Sequence, residues 1–393
     1  MRIHALYLSL ALIFAFGLTW SGEMLSTDGA QTAEPDSDFV QVSGRDLVYR
    51  GETFTLRGTN ANNLPALCST VGGFNFGSCD IEDIPLGEED YQLMSELGAN
   101  HVRFGLSYSW YADDREQFFD VLDQHVEWAR ENNIWLIWHM YTMPGNCYEG
   151  YAQHCPLWES PDQQQAMIDF WVDMAEYYKD EPVVIGYSLL NEPTPPGPGW
   201  SATWYDLAQE IHDAIAEVND TQLVFIMSTD AAIFTRVFEG DNIVYSVHDY
   251  VPLSLSHAED DSRDYPGEAP NWDGNDVAWS RDTFAGEGDA AGDLGTLLSI
   301  DWAEQNNVPL YVGEWGTTNA YPGYIQYILD KADVYTNVFN LNHAHFQWRG
   351  NAHQWGLFPI EGELVVHDQA YLDAVMISWD GAVRPDFSAS AGE

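Results

Sequence analysis

The chain has 393 residues, of which 62 are Asp or Glu and 14 are Lys or Arg, so its formal net charge is −48. This charge excludes a nucleic-acid-binding protein and a protein that adheres to anionic membranes, because both need a basic surface. The chain is also 45% hydrophobic with 16 Trp, which excludes intrinsic disorder.

The acidic residues are spread along the whole chain, and only two residues are lysine, Lys179 and Lys331. Molar salt shortens the Debye length to roughly 3 Å and removes most of the repulsion between such charges. We therefore interpret the composition as adaptation of the surface to high salt. An ordinary acidic secreted protein is the alternative.

The N-terminus carries an apolar run at 6–20 behind Arg2 and His4. This run is short for a membrane span, which needs about 20 residues, but it suits the core of a secretory signal peptide. Its small-residue cleavage pattern is poor, so an uncleaved anchor stays open. We predict a signal peptide or anchor at 1–20, a polar tether at 21–38, one folded domain at 39–393 and a secreted protein.

Four cysteines follow the apolar run. In an oxidising compartment the simplest pairing joins neighbours, Cys68 with Cys79 and Cys147 with Cys155. The other two connectivities and free buried thiols are the alternatives. The cysteines lack the spacing of a zinc site, so we predict no structural metal.

Short apolar, β-branched runs alternate with helical patterns from residue 40 to 385. Predicted strands lie at 55–60, 101–106, 134–140, 183–191, 223–228, 243–250, 309–315 and 343–348. Predicted helices lie at 88–98, 116–132, 162–178, 203–218, 292–306, 322–335 and 367–378, with a short piece at 230–239.

Near-continuous apolar strands indicate a parallel sheet that is buried on both faces. Eight alternations favour an α/β fold with a single (β/α)8 TIM barrel over an open doubly wound sheet, and no Gly-rich nucleotide loop follows a strand. A long polar loop, 251–291, follows strand six. Its Trp272 and Trp279 either line a cleft or fasten the loop to the barrel, and its aspartates lack the spacing of a calcium loop.

Polar side chains stand where the predicted strands end, which is where barrel enzymes place catalytic residues. These residues are Arg103, His139, Asn191, Glu192, His248, Tyr250, Glu314 and Trp348. Glu192 and Glu314 follow apolar runs, where a carboxylate is costly to bury. Two carboxylates across a barrel mouth can divide glycosidic cleavage, one protonating the leaving oxygen and the other attacking the anomeric carbon.

With LLNEP around Glu192 and VGEWG around Glu314, the chain resembles glycoside hydrolase family 5 over nearly all of 40–385. The resemblance implies a retaining mechanism without metal or organic cofactor, with Glu192 as acid/base and Glu314 as nucleophile. It implies that Asn191 binds the sugar 2-hydroxyl, that Arg103 and Tyr250 hold the nucleophile, that His139 and His248 order the cleavage subsite, and that Trp348 stacks on the sugar.

The resemblance gives two indications of the substrate. The loop after strand six is similar to that of endoglucanases in the family, whereas 39–64 is similar to the start of its mannanases. We predict a monomeric endo-β-1,4-glucanase that acts on β-linked polysaccharide, with β-mannan as the alternative substrate. A non-catalytic carbohydrate-binding barrel is the alternative of another class, and such a barrel would usually lack one of the two Glu.

Aromatic side chains near strand ends suit a long cleft for a polymer, because their faces stack on pyranose rings. Packing in the core is the alternative for each of them. The residues are Trp110, Tyr111, Tyr141, Trp158, Trp200, Trp204, Trp315, Trp348 and Trp355.

Overall fold

The computed structural model describes residues 37–61, 80–145, 147–148, 155–196, 200–229, 234–271, 274–287, 295–352 and 355–388. The predicted segment 1–20, nearly all of the predicted tether, Cys68, Cys79 and Trp272 lie outside the described residues. Among the described helices, none has the length and apolar character that a membrane span requires.

Strands and helices alternate along the chain. The strands are β1 (Gln41–Ser43), β2 (Asp46–Tyr49), β3 (Glu52–Phe54), β4 (Arg57–Ala61), β5 (His101–Ser107), β6 (Trp135–Met143), β7 (Cys147–Tyr148), β8 (Val184–Ser188), β9 (Leu223–Met227), β10 (Ile243–Asp249), β11 (Gly267–Pro270), β12 (Asp276–Trp279), β13 (Leu310–Trp315) and β14 (Asn342–His345). The helices are α1 (Glu88–Leu97), α2 (Tyr108–Asp113), α3 (Arg115–Glu131), α4 (Pro161–Tyr177), α5 (Trp200–Val218), α6 (Leu253–Ser256), α7 (Arg281–Phe284), α8 (Gly295–Asn306), α9 (Tyr324–Asp333) and α10 (Gln369–Ile377).

Eight parallel strands close into a barrel in the order β4, β5, β6, β8, β9, β10, β13, β14 and back to β4. Every residue of β5, β6 and β10 is buried, because the barrel interior covers one face of each strand and the helices cover the other. This explains the near-continuous apolar runs, and it confirms the predicted (β/α)8 TIM barrel.

Several helices begin at a side chain that accepts a backbone N–H. Asp114 accepts from Gln117 at the start of α3, and Ser160 accepts from Gln163 at the start of α4. Such caps satisfy N–H groups that have no partner within the helix, and each is worth about 1 kcal/mol. They help to fix where each loop of the barrel ends.

A small antiparallel sheet of β1, β2 and β3 precedes the barrel. Its Tyr49 and Phe54 pack on Trp135, with ring centroids 5.1 Å and 4.8 Å away. Trp135 is the first residue of β6. The sheet therefore covers the end of the barrel where the strands begin, opposite the strand ends that carry the candidate site. No strands were predicted from the sequence at these positions.

The long loop after strand six has secondary structure of its own. It contains α6, the hairpin of β11 and β12, and α7. Trp279 is buried, and its indole N–H donates to the carbonyl of Ala269 at 2.9 Å. Trp279 thus packs within the loop, whereas the prediction offered only a cleft-lining role or attachment of the loop to the barrel.

Cys147 and Cys155 form a disulfide with their Cα atoms 5.8 Å apart, as predicted. The bond ties β7 to the short helical turn Pro156–Trp158 on the mouth side of the barrel. It thereby fixes part of the loop that leads from β6 to α4.

The two lysines have opposite surroundings. Lys179 follows α4, is 44% exposed and pairs with Glu176. Lys331 on α9 is 1% exposed, and its Nζ lies 2.7 Å from Asp249 Oδ2 and 4.8 Å from the ring centre of Phe284. Burial lowers the pKa of Lys331, and the charge of Asp249 opposes that shift. The pair fastens α9 to the end of β10.

Buried histidines predict a specific loss of stability in acid. Burial lowers the pKa of His125, His343 and His345 to about 3 each, against about 6.5 in an unfolded chain. Below pH 6.5 the unfolded chain binds protons that the folded chain does not, so the stabilisation is complete above pH 6.5 and is lost as pH falls.

We expect the free energy of unfolding to fall by up to about 4 kcal/mol per pH unit between pH 6 and 4, from three such groups. Urea unfolding at fixed salt measures this slope. An unfolding free energy that stays constant from pH 7 to pH 5 would contradict the buried neutral state.

Candidate active site

Arg103 on β5 lies at the centre of the site, with its side chain fully buried. Its Nη1 donates to Glu314 Oε1 at 2.8 Å and to Asn60 Oδ1 at 2.7 Å. Its Nη2 donates to His139 Nε2 at 2.7 Å and to Asn191 Oδ1 at 3.0 Å. A buried charge needs such partners, and these come from β4, β6, β13 and the turn after β8. Arg103 thus fixes the site across the barrel mouth.

Glu314 at the end of β13 is surrounded by donors. Besides Arg103, the hydroxyl of Tyr141 donates to its Oε1 at 3.0 Å, and the hydroxyl of Tyr250 donates to its Oε2 at 2.9 Å. Burial and the charge of Glu314 raise the pKa of Tyr250 well above its ordinary value, so the hydroxyl keeps its proton. These three donors hold both oxygens of Glu314 in a fixed orientation.

His139 on β6 is a neutral acceptor. Burial and the charge of Arg103 hold its pKa well below the ordinary value. Because a guanidinium only donates, His139 Nε2 accepts from Arg103 and the proton is on Nδ1, which lies 2.9 Å from Ser188 Oγ. His139 therefore supports Arg103, and the same Nη2 of Arg103 also holds Asn191 Oδ1.

Glu192 follows β8 and has a positive φ of 37°, a conformation that is uncommon for residues other than glycine and is often found at functional sites. Its Oε1 lies 2.7 Å from His248 Nδ1, and its side chain is 36% exposed. Burial acts to raise the pKa of Glu192, but the hydrogen bond and charge of His248 and the charge of Arg103 outweigh it, so the pKa lies below its ordinary value.

His248 at the end of β10 stands between the two carboxylates. Its Nδ1 is 2.7 Å from Glu192 Oε1 and 3.5 Å from Glu314 Oε2. One ligand atom from each of these three residues lies within 4.8 Å of the others. This spacing would also suit a cation, but Arg103, Tyr141 and Tyr250 already donate to the Glu314 oxygens. The set is built for hydrogen-bond donors.

Trp348 is not in the cleft. The prediction placed it at the end of strand eight, but β14 ends at His345 and the chain then turns. Trp348 is fully buried, and its indole N–H donates to Asp90 Oδ1 of α1 at 2.7 Å. A side chain held there cannot stack on a sugar, so that part of the prediction is wrong. Phe346, partly exposed and 6.4 Å from the Tyr250 ring, lies near the site instead.

Most of the aromatic side chains that were predicted to line the cleft are buried in the core. Those in the core are Trp110, Trp158, Trp204, Trp315 and Trp348. Tyr141 is also buried, but it lies at the site, where its hydroxyl donates to Glu314. Tyr111 packs on Phe170 with ring centroids 5.0 Å apart. Trp355 remains partly exposed beside Tyr250, with ring centroids 6.2 Å apart.

Asn60 was not predicted as a site residue, and Tyr141 was predicted only as a cleft aromatic and not as a partner of Glu314. For Tyr141 a signal existed, because it follows His139 by two residues and alternate residues of a strand share a face. Asn60 is the fourth residue of β4, and its Nδ2 donates to the carbonyl of Gly313 at 2.9 Å, so it links β4 to the strand of Glu314.

The family model for cellulase, glycosyl hydrolase family 5, matches residues 68–354, which is more than half of the chain. The chain belongs to glycosyl hydrolase family 5. The matched span includes Glu192 and Glu314, and the family 5 resemblance stated from the sequence is confirmed.

The individual relatives are distant from this chain in sequence. Endoglucanase C of Acetivibrio thermocellus is 29% identical over 186 residues, covering 44% of this chain and 53% of that protein. Endoglucanase 3 of Fibrobacter succinogenes is 25% identical over 279 residues, covering 60% of this chain and 41% of that protein. The chain thus spans about half the length of these curated relatives, or less.

A solved structure described as a glycoside hydrolase superposes with a TM-score of 0.64 at 18% identity, covering 82% of this chain and 99% of that chain. Likeness at this identity shows the fold alone. It agrees with the closed barrel described above.

Proposed function

We propose that the protein is a secreted, salt-adapted endo-β-1,4-glucanase that retains anomeric configuration. The observation that carries this proposal is the placement of Glu192 and Glu314 on either side of His248, with one ligand atom of each residue within 4.8 Å. Retaining enzymes hold their carboxyl groups about 5 to 5.5 Å apart, whereas inverting enzymes hold them about 6.5 to 9.5 Å apart to admit a water. The close spacing favours the retaining chemistry.

In the first step, Glu314 attacks the anomeric carbon while Glu192 protonates the leaving glycosidic oxygen. Arg103, Tyr141 and Tyr250 hold the attacking carboxylate in place. Glu192 must carry a proton for this step, although its pKa lies below the ordinary value in the open cleft. A bound polymer excludes water from the 36% exposed side chain, and this desolvation acts to raise that pKa.

In the second step, Glu192, now ionised, takes a proton from water, and the resulting nucleophile releases the sugar from Glu314. His248 remains 2.7 Å from Glu192 Oε1 and keeps that oxygen oriented. Both carboxylates return to their starting protonation states. The cycle uses side chains of this chain and water.

The choice of β-1,4-glucan rests on two similarities: the loop after strand six resembles that of family endoglucanases, and two of the matched relatives are named endoglucanases. β-Mannan is the second candidate, because residues 39–64 resemble the start of family mannanases. The disulfide between Cys147 and Cys155 favours an oxidising, extracytoplasmic compartment.

The test is release of reducing sugar in molar salt from carboxymethyl-cellulose and from galactomannan, side by side. We expect release from the cellulose derivative with a rapid fall in viscosity, which indicates internal cleavage. Release from galactomannan alone would replace glucan by mannan. Activity on neither polymer would contradict the proposal.

A further inference from the structure

His257 lies beside the site without a role in the mechanism above. It follows α6, it is exposed, and its ring centre is 5.0 Å from that of Tyr250 and 4.9 Å from that of Trp355. Its ring is close enough to feel the charges of both Glu192 and Glu314. His257 therefore borders the space in which a sugar must sit to be cleaved.

The hydrogen bonds of Ser256 fix which nitrogen of His257 carries the proton. Ser256 Oγ lies 2.5 Å from the carbonyl oxygen of Tyr250 and 2.9 Å from His257 Nδ1. A carbonyl can only accept, so the hydroxyl proton goes to Tyr250 and Ser256 Oγ accepts from His257. The proton of neutral His257 is therefore on Nδ1, and Nε2 presents a lone pair.

The imidazole of His257 is neutral at neutral pH. Partial burial of the ring lowers its pKa, and the charges of Glu192 and Glu314 oppose the shift without cancelling it. In the part of the chain that the structure describes, no protein donor fills Nε2. An acceptor thus borders the same space as the Tyr250 ring and the two carboxylates.

The turn that carries His257 is held firmly. The carbonyl of Ser256 accepts from the backbone N–H of Thr318 and from the indole N–H of Trp355, both at 3.0 Å. Trp355 also lies close against Gly316, where a Cβ would stand 3.3 Å from its Cδ1 and 2.7 Å from the carbonyl oxygen of Phe346. The acceptor is therefore preorganised next to the strand end that carries Glu314.

We propose that His257 is a substrate-binding residue whose neutral Nε2 accepts a hydrogen bond from a sugar hydroxyl at the subsite next to the cleavage point, against the ring of Trp355. This inference rests on the proposed function, because it needs a saccharide in the cleft. Sugar hydroxyls can donate as well as accept, so an acceptor held at a fixed position favours a sugar whose hydroxyl stands opposite it.

The test compares His257→Phe with His257→Gln. Phe keeps an aromatic ring between Tyr250 and Trp355 but removes the acceptor, whereas Gln supplies an amide oxygen at similar reach. Both variants lose the Nδ1 donor to Ser256, so an effect transmitted through Ser256 appears in both. We expect His257→Phe to raise the KM for carboxymethyl-cellulose about three- to tenfold with kcat little changed. His257→Gln should have a KM close to that of the unmodified protein.

Binding of cellotetraose and mannotetraose gives a second readout that needs no turnover. Calorimetry compares the Glu314→Gln protein with and without His257→Phe. We expect His257→Phe to weaken binding of the favoured oligosaccharide by about the same factor as it raises the KM. Unchanged binding and KM in the Phe variant, or equal losses in Phe and Gln, would overturn the inference while leaving the proposed function intact. Weakened binding in a protein that hydrolyses no polymer would contradict the function and retain the inference.

An aryl cellobioside locates the hydroxyl, because its leaving group carries no sugar. A loss in the Phe variant with both the aryl cellobioside and the polymer places the hydroxyl on the sugar that is transferred to Glu314. A loss with the polymer alone places it on the leaving side. Either pattern supports an acceptor role for His257 Nε2.

Discussion

Glu314→Gln is expected to lower turnover of soluble β-glucan by at least about a thousandfold, because it removes the group that forms the covalent intermediate. The amide keeps the size of the side chain, but it replaces one oxygen that now accepts from Arg103 and Tyr141 or from Tyr250. Initial rates in molar salt measure the loss. Far-UV circular dichroism shows whether the variant remains folded.

Glu192→Gln is expected to lose a similar factor on the polymer but to behave differently with 2,4-dinitrophenyl cellobioside. That leaving group needs no proton, so the first step proceeds and the second stalls without its base. We expect a burst of dinitrophenol and a glycosylated protein by intact mass in Glu192→Gln, and neither in Glu314→Gln. A burst in the latter would reverse the two assignments.

Glu210→Gln on α5 is the matched control for these two variants. Glu210 is exposed, and its replacement by Gln removes the same single charge at a position away from the barrel mouth. Its rates should equal those of the unmodified protein. Near-normal rates in either catalytic variant would contradict the proposed mechanism.

Dialysis from molar salt to low salt is expected to lower the melting temperature by about 10 °C or more, or to unfold the protein outright. The cause is the net charge of −48, whose self-repulsion is screened only when the Debye length is short. Circular dichroism at several salt concentrations follows the transition. Equal melting temperatures in molar and low salt would contradict the salt-adaptation hypothesis.

Substitutions on α5 can separate the effect of surface charge from the other effects of salt. Glu210, Asp213 and Glu217 are exposed and lie three and four residues apart, so they form one acidic stripe. Glu210→Lys with Glu217→Lys places cations beside Asp213 and changes the net charge by four. We expect this double variant to tolerate lower salt than the unmodified protein, whereas the corresponding Gln variants should gain less.

The barrel was predictable because its strands are buried on both faces, and burial on both faces leaves a continuous apolar run in the sequence. The runs that begin at His101 and Ile243 were placed correctly for this reason. The sheet of β1, β2 and β3 was missed because its strands are three or four residues long and their alternation is too brief to read.

The site was predictable where a residue lies at or next to the end of such a strand, as His248 and Glu314 do. Arg103 lies earlier, third among the seven residues of β5, and its long side chain reaches Glu314 from there. Trp348 was misplaced because the sequence after His345 stays aromatic while the backbone leaves the barrel. Nothing local marks that turn, since the partner that draws Trp348 inward is Asp90, 258 residues away in sequence.

The contacts of His257 show a similar limit. Its protonated nitrogen is set by Ser256, and the turn that holds it is fixed by Thr318 and Trp355 from other strand ends. Such contacts depend on closure of the barrel, so hydrophobic patterning along the chain contains no signal for them.

The unequal exposure of the two lysines offers a way to mount the protein on a solid support. An amine-reactive resin should couple at Lys179, since Lys331 is enclosed by Asp249 and Phe284. Lys179 lies between the end of α4 and the start of β8, and therefore at the end of the barrel where the strands begin, opposite the cleft. Apart from attachment through the α-amino group, molecules captured in this way would share one orientation, with the cleft turned toward the solution and accessible to a long polymer.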